Sequence, residues 1–447
     1  MKRIGIIGSG PAGIFSALEL SKNNPDFEIT IFEKESYSSG GMINDCKLNL
    51  SYKIGMDLDV LKISPSKAEE LISYVDNLFL EHDASNELYG LNENEIRKLQ
   101  DKANLCGLEL IDAKQRHIGT DNSKKLIDNF KETLIKRNVI IKTNTLVKDI
   151  IKKQENGFGI IFSKEDKEDF SEFDYLISAP GRAGSIWFRE KADKLGIEYL
   201  WGPVDVGVRI EIPKEYFEDL TNVIYDPKLL MDSQDKEFTR TFCTNPGGRI
   251  RVERLIENGE TFNIINGDAN KNSKTENTNF AILTRFYLTE PLVDTRKEGL
   301  ELVKRVNRYG GGKPLVQKMG DFFANKRTKK ENLLGNGLIP TLSNSSVTQG
   351  DINLAYSYKV VSKIKEFIRR LDHLVPGVMQ ESNLIYAPEI KFYETNYVTN
   401  LDLETNIKNL FVAGDGAGKS RGIVGAAMTG IIVARGILKK EGIEFKE

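Results

Sequence analysis

The spacing of small residues near the N-terminus matches a loop that binds the pyrophosphate of a dinucleotide. The apolar segment 3–7 leads directly into Gly8-Ser9-Gly10-Pro11-Ala12-Gly13. In this pattern the first glycine permits a sharp turn, the second lets the backbone approach the pyrophosphate, and the third lets a helix pack close to a strand. Pro11 suits the start of that helix, because first-turn amides have no helical acceptor. We expect the helix to direct its N-terminus at the phosphates.

A carboxylate follows at the distance that the same pattern requires. The segment 28–32 is mostly apolar and β-branched, which is typical of a second buried strand, and Glu33 follows it. Glu33 stands about 20 residues after Gly13, where the fingerprint places the acid that accepts from the ribose hydroxyls. We assign its neighbour Lys34 to the same site. Strand, turn, helix, strand and acid occur in this order, so the sequence predicts a dinucleotide site.

A second short strand opens onto a tight turn near the other end of the chain. The segment 409–413 leads into Gly414-Asp415-Gly416. Two such motifs, far apart in one chain, favour a single FAD that both of them hold. We expect Asp415 to bind a hydroxyl on the ribityl or pyrophosphate side. A helix that begins near Gly422 and Ile423 would direct its positive end at the flavin and stabilise the negative charge of the reduced ring.

The same C-terminal segment offers an alternative class, a nucleotide triphosphatase. Ala413 is followed, after four residues, by Gly418-Lys419-Ser420, which resembles a relaxed phosphate-binding P-loop. The first position of that motif is glycine in a true P-loop, whereas here it is Ala413. Only the segment 421–447 follows, which is too short for the sheet and acidic strand that hold magnesium in such enzymes. We therefore favour the FAD interpretation.

Two further segments between the motifs are assigned to the cofactor. The strand candidate 173–178 enters Ala179-Pro180-Gly181, and a turn of small residues suits the floor of an FAD pocket. The segments 146–150 and 157–162 predict a hairpin, and we place Val147 of its first strand at the cofactor. A second Gly-x-Gly-x-x-Gly is absent, so we expect no separate NAD(P) domain. The hydride would come from a substrate, from transiently bound NAD(P)H or through a protein electron partner.

Composition places the chain among ordinary soluble proteins. It has 447 residues, of which 40% are hydrophobic and 29% are charged, with a formal net charge of −2. Near-neutral charge makes a nucleic-acid partner unexpected. The three cysteines are far apart and form no Cys-x-x-Cys, which excludes a disulfide-reductase type of flavoenzyme. We expect a cytoplasmic protein with no metal site and no membrane span, because the most apolar stretch, 422–438, is short and contains Arg435.

The order of predicted elements indicates an α/β fold with two kinds of sheet. We expect a Rossmann-like FAD-binding domain, in which helices cover a parallel sheet, and an α+β substrate domain with an antiparallel sheet. Val204, Val206, Val208, Ile210 and Ile212 alternate with polar residues, which is typical of an antiparallel strand. The predicted segments are 1–50, 106–185 and 355–447 for the FAD-binding domain, 51–105 for a helical cap insertion and 186–354 for the substrate domain.

With both ends placed, the chain resembles the FAD-dependent dehydrogenases of the glutathione-reductase-like superfamily. More closely, it is similar to a bacterial and archaeal family of such dehydrogenases whose substrate is generally unknown. The resemblance covers most of the chain and rests, besides the two FAD motifs, on the segments 40–41, 45–49, 116–121, 206–211, 246–248 and 422–424. The chain departs from the family pattern at Cys46, Asp415, Lys419 and Arg421, so the resemblance carries over no substrate.

Further candidates lie on the flavin side. In similar enzymes the loop that contains Gly41 and Met42 lies along the pyrophosphate and the flavin, so we assign these two residues to the cofactor. Lys47 follows this loop and is expected to face the ring. Lys419 and Arg421, although they depart from the family pattern, stand where we expect the flavin C2 carbonyl and an anionic substrate to meet. The candidate catalytic residues are therefore Lys47, Lys419 and Arg421.

The leading hypothesis is an FAD-dependent oxidoreductase that transfers a hydride between flavin N5 and a small organic substrate. The substrate is anionic if Lys419 and Arg421 face it. The alternative is a flavoprotein that acts in RNA modification, or as an electron-transfer or binding module. The basic run 326–330 would dock RNA in that case, whereas the near-neutral net charge argues against it.

Overall fold

The chain folds into two compact units in the structure, which is a computed structural model. Unit 1 comprises Met1–Glu87, Arg116–Trp201 and Glu394–Glu447, and unit 2 comprises Leu88–Gln115 and Gly202–Tyr393. The residues that the structure describes are 1–37, 40–43, 46–153, 157–234, 237–257, 259–270, 273–333, 335, 337–393 and 395–445. Asp45 of the segment 45–49 lies outside them.

The strands and helices of the described residues are numbered in chain order. The strands are β1 Arg3–Ile7, β2 Glu28–Phe32, β3 Lys47–Leu50, β4 Glu109–Ile111, β5 Lys114–His117, β6 Ile140–Lys142, β7 Thr145–Lys152, β8 Phe158–Lys164, β9 Lys167–Phe173, β10 Tyr175–Ser178, β11 Tyr199–Trp201, β12 Val204–Pro213, β13 Lys228–Met231, β14 Thr239–Asn245, β15 Arg249–Glu257, β16 Glu260–Asp268, β17 Asn277–Phe286, β18 Leu315–Lys318, β19 Thr348–Gln349, β20 Leu384–Phe392, β21 Thr395–Tyr397 and β22 Leu410–Val412. The α-helices are α1 Pro11–Asn23, α2 Leu58–Leu61, α3 Pro65–Glu81, α4 Glu93–Leu105, α5 Thr120–Lys136, α6 Gly181–Leu195, α7 Glu218–Thr221, α8 Thr295–Tyr309, α9 Met319–Phe323, α10 Lys330–Leu333, α11 Tyr358–Leu374 and α12 Gly422–Lys440.

A five-stranded parallel sheet forms the centre of unit 1, in the order β22-β10-β1-β2-β6. Its central strand, β1, pairs Ile4 with Tyr175 on one side and with Ile29 on the other. Four of the five residues in β1 and in β2 are buried, as expected for parallel strands that helices cover on both faces. The predicted α/β class with a Rossmann-like parallel sheet is confirmed.

Helices α1 and α12 cross in close contact because Gly430 places no side chain between them. A Cβ atom at Gly430 would lie 2.2 Å from the carbonyl oxygen of Ala12. The Ser16 hydroxyl donates to the carbonyls of Ala12 and Gly430, at 2.8 and 3.1 Å. Farther along the same helices, Arg435 Nε donates to Glu19 Oε1 at 2.8 Å, and both side chains are buried. These contacts fix both the distance and the rotation of the two helices.

Helix α12 is a core helix of unit 1. Among the described helices it is the one that is long and apolar enough to cross a membrane, but 78% of its most apolar window is buried inside the protein. Its arginine, Arg435, is neutralised by the buried carboxylate of Glu19. The apolar surface of the helix is therefore used for packing within the unit.

An eight-stranded sheet forms the centre of unit 2, in the order β19-β18-β20-β12-β17-β14-β13-β4. The β18–β19 pair is parallel, and the other pairs are antiparallel. The apolar side chains of β12 alternate on one face and join the core cluster that includes the buried face of α11. Asp205, Arg209 and Glu211 occupy the opposite face and are also fully buried. The predicted antiparallel sheet is confirmed, and both faces of its central strand are covered.

The units divide the chain at different residues from the segments that the sequence predicted. Segment 355–393 lies in unit 2, because β20 pairs with both β12 and β18 and α11 packs on the same sheet. The predicted cap 51–105 is divided, with its residues from 88 onward in unit 2. Residues 106–115 of the predicted FAD-binding segment also lie in unit 2, where their strand β4 pairs with β13. Segment 186–201 lies in unit 1, where β11 pairs with β21. Each shift follows a strand pairing between segments that are distant in sequence.

The helix crossing predicts the effect of a single added methyl group. Gly430→Ala places that methyl group against the Ala12 carbonyl, so we expect the free energy of unfolding to fall by about 1–3 kcal/mol. This loss outweighs the gain of up to about 1 kcal/mol that alanine brings to a helix. Urea unfolding measures it, with Gly337→Ala as the control, because of the described residues a Cβ there would meet only Ser382, at 3.7 Å. Equal unfolding midpoints for the two variants would contradict the close contact between α1 and α12 at Gly430.

Candidate functional site

Three turns meet at one edge of the parallel sheet in unit 1. Strands β22, β10 and β1 are neighbours and run in the same direction, so their carboxyl ends lie side by side. The chain leaves these strands through the segments 8–13, 179–181 and 414–416. All three segments were predicted to bind the cofactor. The carboxyl edge of a parallel α/β sheet is where such folds place their ligands.

The three turns are in contact through their backbones. Gly8 has a positive φ of 97°, and a Cβ atom there would lie 2.2 Å from the carbonyl oxygen of Ala179. A Cβ atom at Gly416 would lie 2.0 Å from the carbonyl oxygen of Gly181. Any side chain at Gly8 or Gly416 would therefore separate the turns.

Two helix N-termini also reach this edge. Gly414 lies between the start of α1 and the start of α12, since a Cβ atom there would be 3.1 Å from the Cβ of Ala12 and 3.9 Å from that of Ala426. Neither helix has a side-chain cap at its N-cap residue, which is Gly10 in α1 and Arg421 in α12. First-turn amides have no acceptor inside their own helix, so both ends can donate to an anionic ligand.

The glycines of the first motif differ in what requires them. A Cβ atom at Gly13 would lie 2.0 Å from the carbonyl oxygen of Gly8, so the packing of α1 on β1 requires a glycine there. Among the described residues, a Cβ atom at Gly10 would meet only the Cα of Gly40, at an ordinary contact distance of 3.6 Å. None of these residues would come within 4 Å of a Cβ atom at Gly41. The described part of the chain thus leaves space over Gly10 and Gly41, which fits a backbone that a pyrophosphate approaches closely.

Glu33 stands at the end of β2 and is anchored by the first motif. Its Oε2 accepts from the amide of Ser9 at 3.0 Å and from the Ser9 hydroxyl at 2.5 Å, and its Oε1 accepts from the amide of Glu35 at 2.9 Å. A carboxylate has about four acceptor positions, so these bonds leave room for a ribose hydroxyl. Lys34 is exposed, with Nζ 3.4 Å from Glu35 Oε1. The roles of Glu33 and Lys34 toward a ribose stay predictions.

Asp415 lies between two guanidinium groups. Arg421 Nη1 is 2.6 Å from Oδ1, and Arg182 Nε is 3.6 Å from Oδ2. Arg421 was predicted to meet an anionic substrate, and the structure pairs it with this carboxylate. Arg182 was not predicted, although it follows the turn 179–181 directly and could have been identified as the first cation after that turn.

Lys419 is more deeply buried than its neighbour Arg421. Its side chain is almost fully buried, and Nζ donates to Asn396 Oδ1 at 3.1 Å. Burial and the nearby charge of Lys62 lower the pKa of Lys419 to about 8. Lys419 precedes α12, which begins at Gly422, so it does not occupy the helix start as the lysine of a P-loop does.

The remaining predicted residues are distributed around the same unit. Met42 is fully buried in the core, and Val147 is buried in the cluster that also contains Phe162. Ile423 is half-buried in the first turn of α12 and packs against the core. Lys47 is half-buried at the start of β3. Pro11 is the first residue of α1 and Pro180 is the N-cap of α6.

Comparison with other sequences identifies no family. No family model matches the chain. A protein of Clostridium beijerinckii described as uncharacterized is 24% identical over 470 residues, which cover 97% of this chain and 80% of that protein.

Comparison with solved structures aligns almost the whole chain with several enzymes. The chain is similar to the flavin-dependent halogenase CmlS, with 12% identity and a TM-score of 0.45 over 99% of this chain and 59% of that one. It is similar to L-proline dehydrogenase from P. horikoshii, with 11% identity and a TM-score of 0.45 over 99% and 94% of the two chains. It is similar to glycine oxidase from Geobacillus kaustophilus, with 13% identity and a TM-score of 0.39 over 100% and 96%. The chain thus spans less than two thirds of the halogenase, and none of these similarities assigns a substrate.

The lowered pKa of Lys419 makes the stability of the protein depend on pH. The pKa is about 8 in the folded protein and 10.5 for an ordinary lysine, so the charged form is disfavoured by folding. The free-energy cost of burying the charged ammonium is present in full below pH 8 and disappears as the pH rises past 10.5. We therefore expect Lys419→Met to raise the free energy of unfolding by about 3 kcal/mol at pH 7 and by much less at pH 10.

Urea unfolding at the two pH values measures this difference. Lys125→Met is the matched control, because the Lys125 side chain is 75% exposed and its removal should shift stability equally at both pH values. A gain from Lys419→Met that is the same at pH 7 and pH 10 would contradict the assignment.

Proposed function

We propose that the protein is an FAD-dependent oxidoreductase that transfers a hydride between flavin N5 and a small anionic organic substrate. The observation that carries this proposal is the meeting of three glycine-containing turns and two uncapped helix N-termini at one edge of the parallel sheet. A dinucleotide needs donors for its phosphates and backbones that it can approach closely, and this edge supplies both.

Specific residues of unit 1 would hold the parts of the cofactor. Gly10 and the amides at the start of α1 would receive the pyrophosphate, and Glu33 would accept from the adenosine ribose. Asp415 would bind a hydroxyl on the ribityl or pyrophosphate side. Bound FAD supplies a ring that accepts or gives a hydride at N5. The uncapped start of α12 at Gly422 would stabilise the negative charge that gathers on the ring.

The charge of the substrate is inferred from the cations near the start of α12. Lys419 carries a positive charge at pH 7 for most of the time, because its pKa is about 8. Its ammonium is buried and donates to a neutral amide, so an anion would gain more from it than from a solvated lysine. Lys47 is the second cation that we assign to the flavin side.

The electron donor is a further part of the proposal. We propose transient NAD(P)H or a protein electron partner, because no second dinucleotide motif is found. Anaerobic addition of NADH and then NADPH tests this: bleaching of the flavin identifies the nicotinamide as the donor, and an unchanged spectrum points to a substrate or a protein partner.

The alternative function is a role in RNA modification. That role would require binding of bulk tRNA at low salt, and the absence of tRNA binding would exclude it.

Gly10 provides the sharpest test of the cofactor site. Gly10→Ala adds a methyl group that the described residues accommodate, since their nearest atom would be 3.6 Å away. The same methyl group occupies the space over which the pyrophosphate passes. We expect the variant to fold normally and to bind FAD at least tenfold more weakly, as measured by flavin absorbance and by titration of the apoprotein with FAD.

Two comparisons make this test decisive. Gly337→Ala lies in unit 2 and should bind FAD as the unmodified protein does. Circular dichroism and the unfolding midpoint of the apoprotein establish that Gly10→Ala is folded. A folded Gly10→Ala protein with full FAD affinity would overturn the site assignment, and an unmodified protein that takes up no flavin on reconstitution would overturn the proposed function.

A further inference from the structure

One face of the sheet in unit 2 carries more positive than negative charge. Four cations of this face share two carboxylates through direct contacts. These contacts are Arg240 Nη2–Asp205 Oδ2 at 2.7 Å, Arg285 Nε–Asp205 Oδ1 at 2.8 Å, Arg209 Nε–Glu389 Oε2 at 2.9 Å and Lys391 Nζ–Glu389 Oε1 at 2.7 Å. The network therefore has two more cations than carboxylates, and the buried carboxylate of Glu211 on the same face of β12 reduces that excess to one.

The strand register explains why these charges lie together. Asp205 of β12 is opposite Arg285 of β17 on one side and opposite Lys391 of β20 on the other. Gly207 follows on the same face of β12 and has no side chain, and a Cβ atom there would lie 1.8 Å from the carbonyl oxygen of Ile282. Burial alone would raise the pKa of Asp205, but the two guanidinium groups outweigh burial and hold that pKa well below its ordinary value.

An aromatic ring lies among the cations. Arg240, Lys228 and Lys391 approach the ring of Phe242 to 5.0, 5.4 and 5.4 Å from its centroid. Lys228 is already neutralised by Asp226, whose carboxylate is 2.6 Å away. The surroundings of Phe242 therefore combine an apolar surface with uncompensated positive charge.

Part of this face is accessible to a ligand. The side chains of Arg240 and Arg285 are 16% and 18% exposed, whereas Arg209 is fully buried. Arg209 lies under β16, because a Cβ atom at Gly267 would be 2.4 Å from its Nη1. The face is thus closed at the Arg209 end and partly open at the end formed by Arg240, Arg285 and Phe242.

Two guanidinium nitrogens of the network lack an acceptor among the residues that the structure describes. They are Arg240 Nε and Arg209 Nη2, and both are buried. Such groups are costly unless an acceptor reaches them. Beside them β14 contains a bulge between Phe242 and Asn245, with Cys243 at a left-handed φ of 49°. Bulges of this kind redirect side chains next to binding sites.

We infer that this face of unit 2, at Arg240, Arg285, Lys391 and Phe242, binds a small organic carboxylate that has an apolar body. The carboxylate supplies negative charge to the partly exposed guanidinium groups of Arg240 and Arg285, and its apolar body packs on Phe242. This inference goes beyond the proposed function and does not depend on it, because all four residues lie in unit 2.

Calorimetric titration of the full-length protein tests the inference with three probes. Benzoate has both the charge and the apolar body, benzamide lacks the charge, and acetate lacks the body. We expect benzoate to bind at least tenfold more tightly than either of the others. Benzamide binding as tightly as benzoate, or no binding of benzoate, would overturn the inference without the need for any variant.

A pair of arginine variants locates the site. Arg240→Gln removes one charge and should weaken benzoate binding at least tenfold. Arg254→Gln is the control in the same unit, because Arg254 is exposed on β15 and lies outside the network. Unchanged benzoate affinity in a folded Arg240→Gln protein would overturn the inference. If that variant does not fold, Phe242→Leu replaces it; the same tenfold loss is expected, and unchanged affinity would again overturn the inference.

Flavin content measured in the same samples separates this inference from the proposed function. A protein that holds FAD but does not bind benzoate overturns the inference and leaves the proposed function intact. A protein that binds benzoate but takes up no FAD overturns the proposed function and confirms the carboxylate site.

Discussion

The backbone contact between α1 and α12 is the constraint on which the site in unit 1 depends. Gly430 lies in α12 and Ala12 in the first turn of α1, so their contact fixes how far apart the two helix starts are. The buried pair of Arg435 and Glu19, 416 positions apart in sequence, then fixes their rotation. Only with this crossing can Gly414 fit between both helix ends. A chain that kept both motifs but separated the helices would have two weak anion sites instead of one.

Glycine serves three separate purposes in this arrangement. At Gly13 the carbonyl of Gly8 in the same turn excludes a side chain, and at Gly430 the carbonyl of another helix does so. At Gly10 a Cβ atom would be 3.6 Å from the nearest atom of the described residues, so these residues do not require a glycine. Gly13 and Gly430 are therefore explained by the fold, whereas Gly10 is explained by the ligand that we propose. The spacing of the first motif does not distinguish Gly10 from Gly13, because both positions carry the same residue.

Short-range patterns were sufficient to predict the elements that build the site. The apolar runs and glycine spacing predicted β1, α1, β2 and the strand before Gly414, because each of these depends on residues close together in sequence. The unit boundaries were not predicted, because β20 joins the unit 2 sheet by pairing with a strand that is distant in sequence, β12. Arg209 of β12 and Glu389 of β20, which form an ion pair, are 180 positions apart. Arg182 was missed for a related reason: nothing in the spacing shows that it would approach Asp415.

Polar residues that alternate along a strand usually indicate a face in contact with water, and β12 shows why the alternation alone is insufficient. Glu211 is fully buried and accepts from neutral groups that include Tyr386 and Thr341. The buried pairs Arg116–Asp76 and Lys228–Asp226 each match one cation with one carboxylate. Such matching offsets part of the cost of removing the charges from water. The network of four cations and two carboxylates departs from this balance, and a bound anion would restore it.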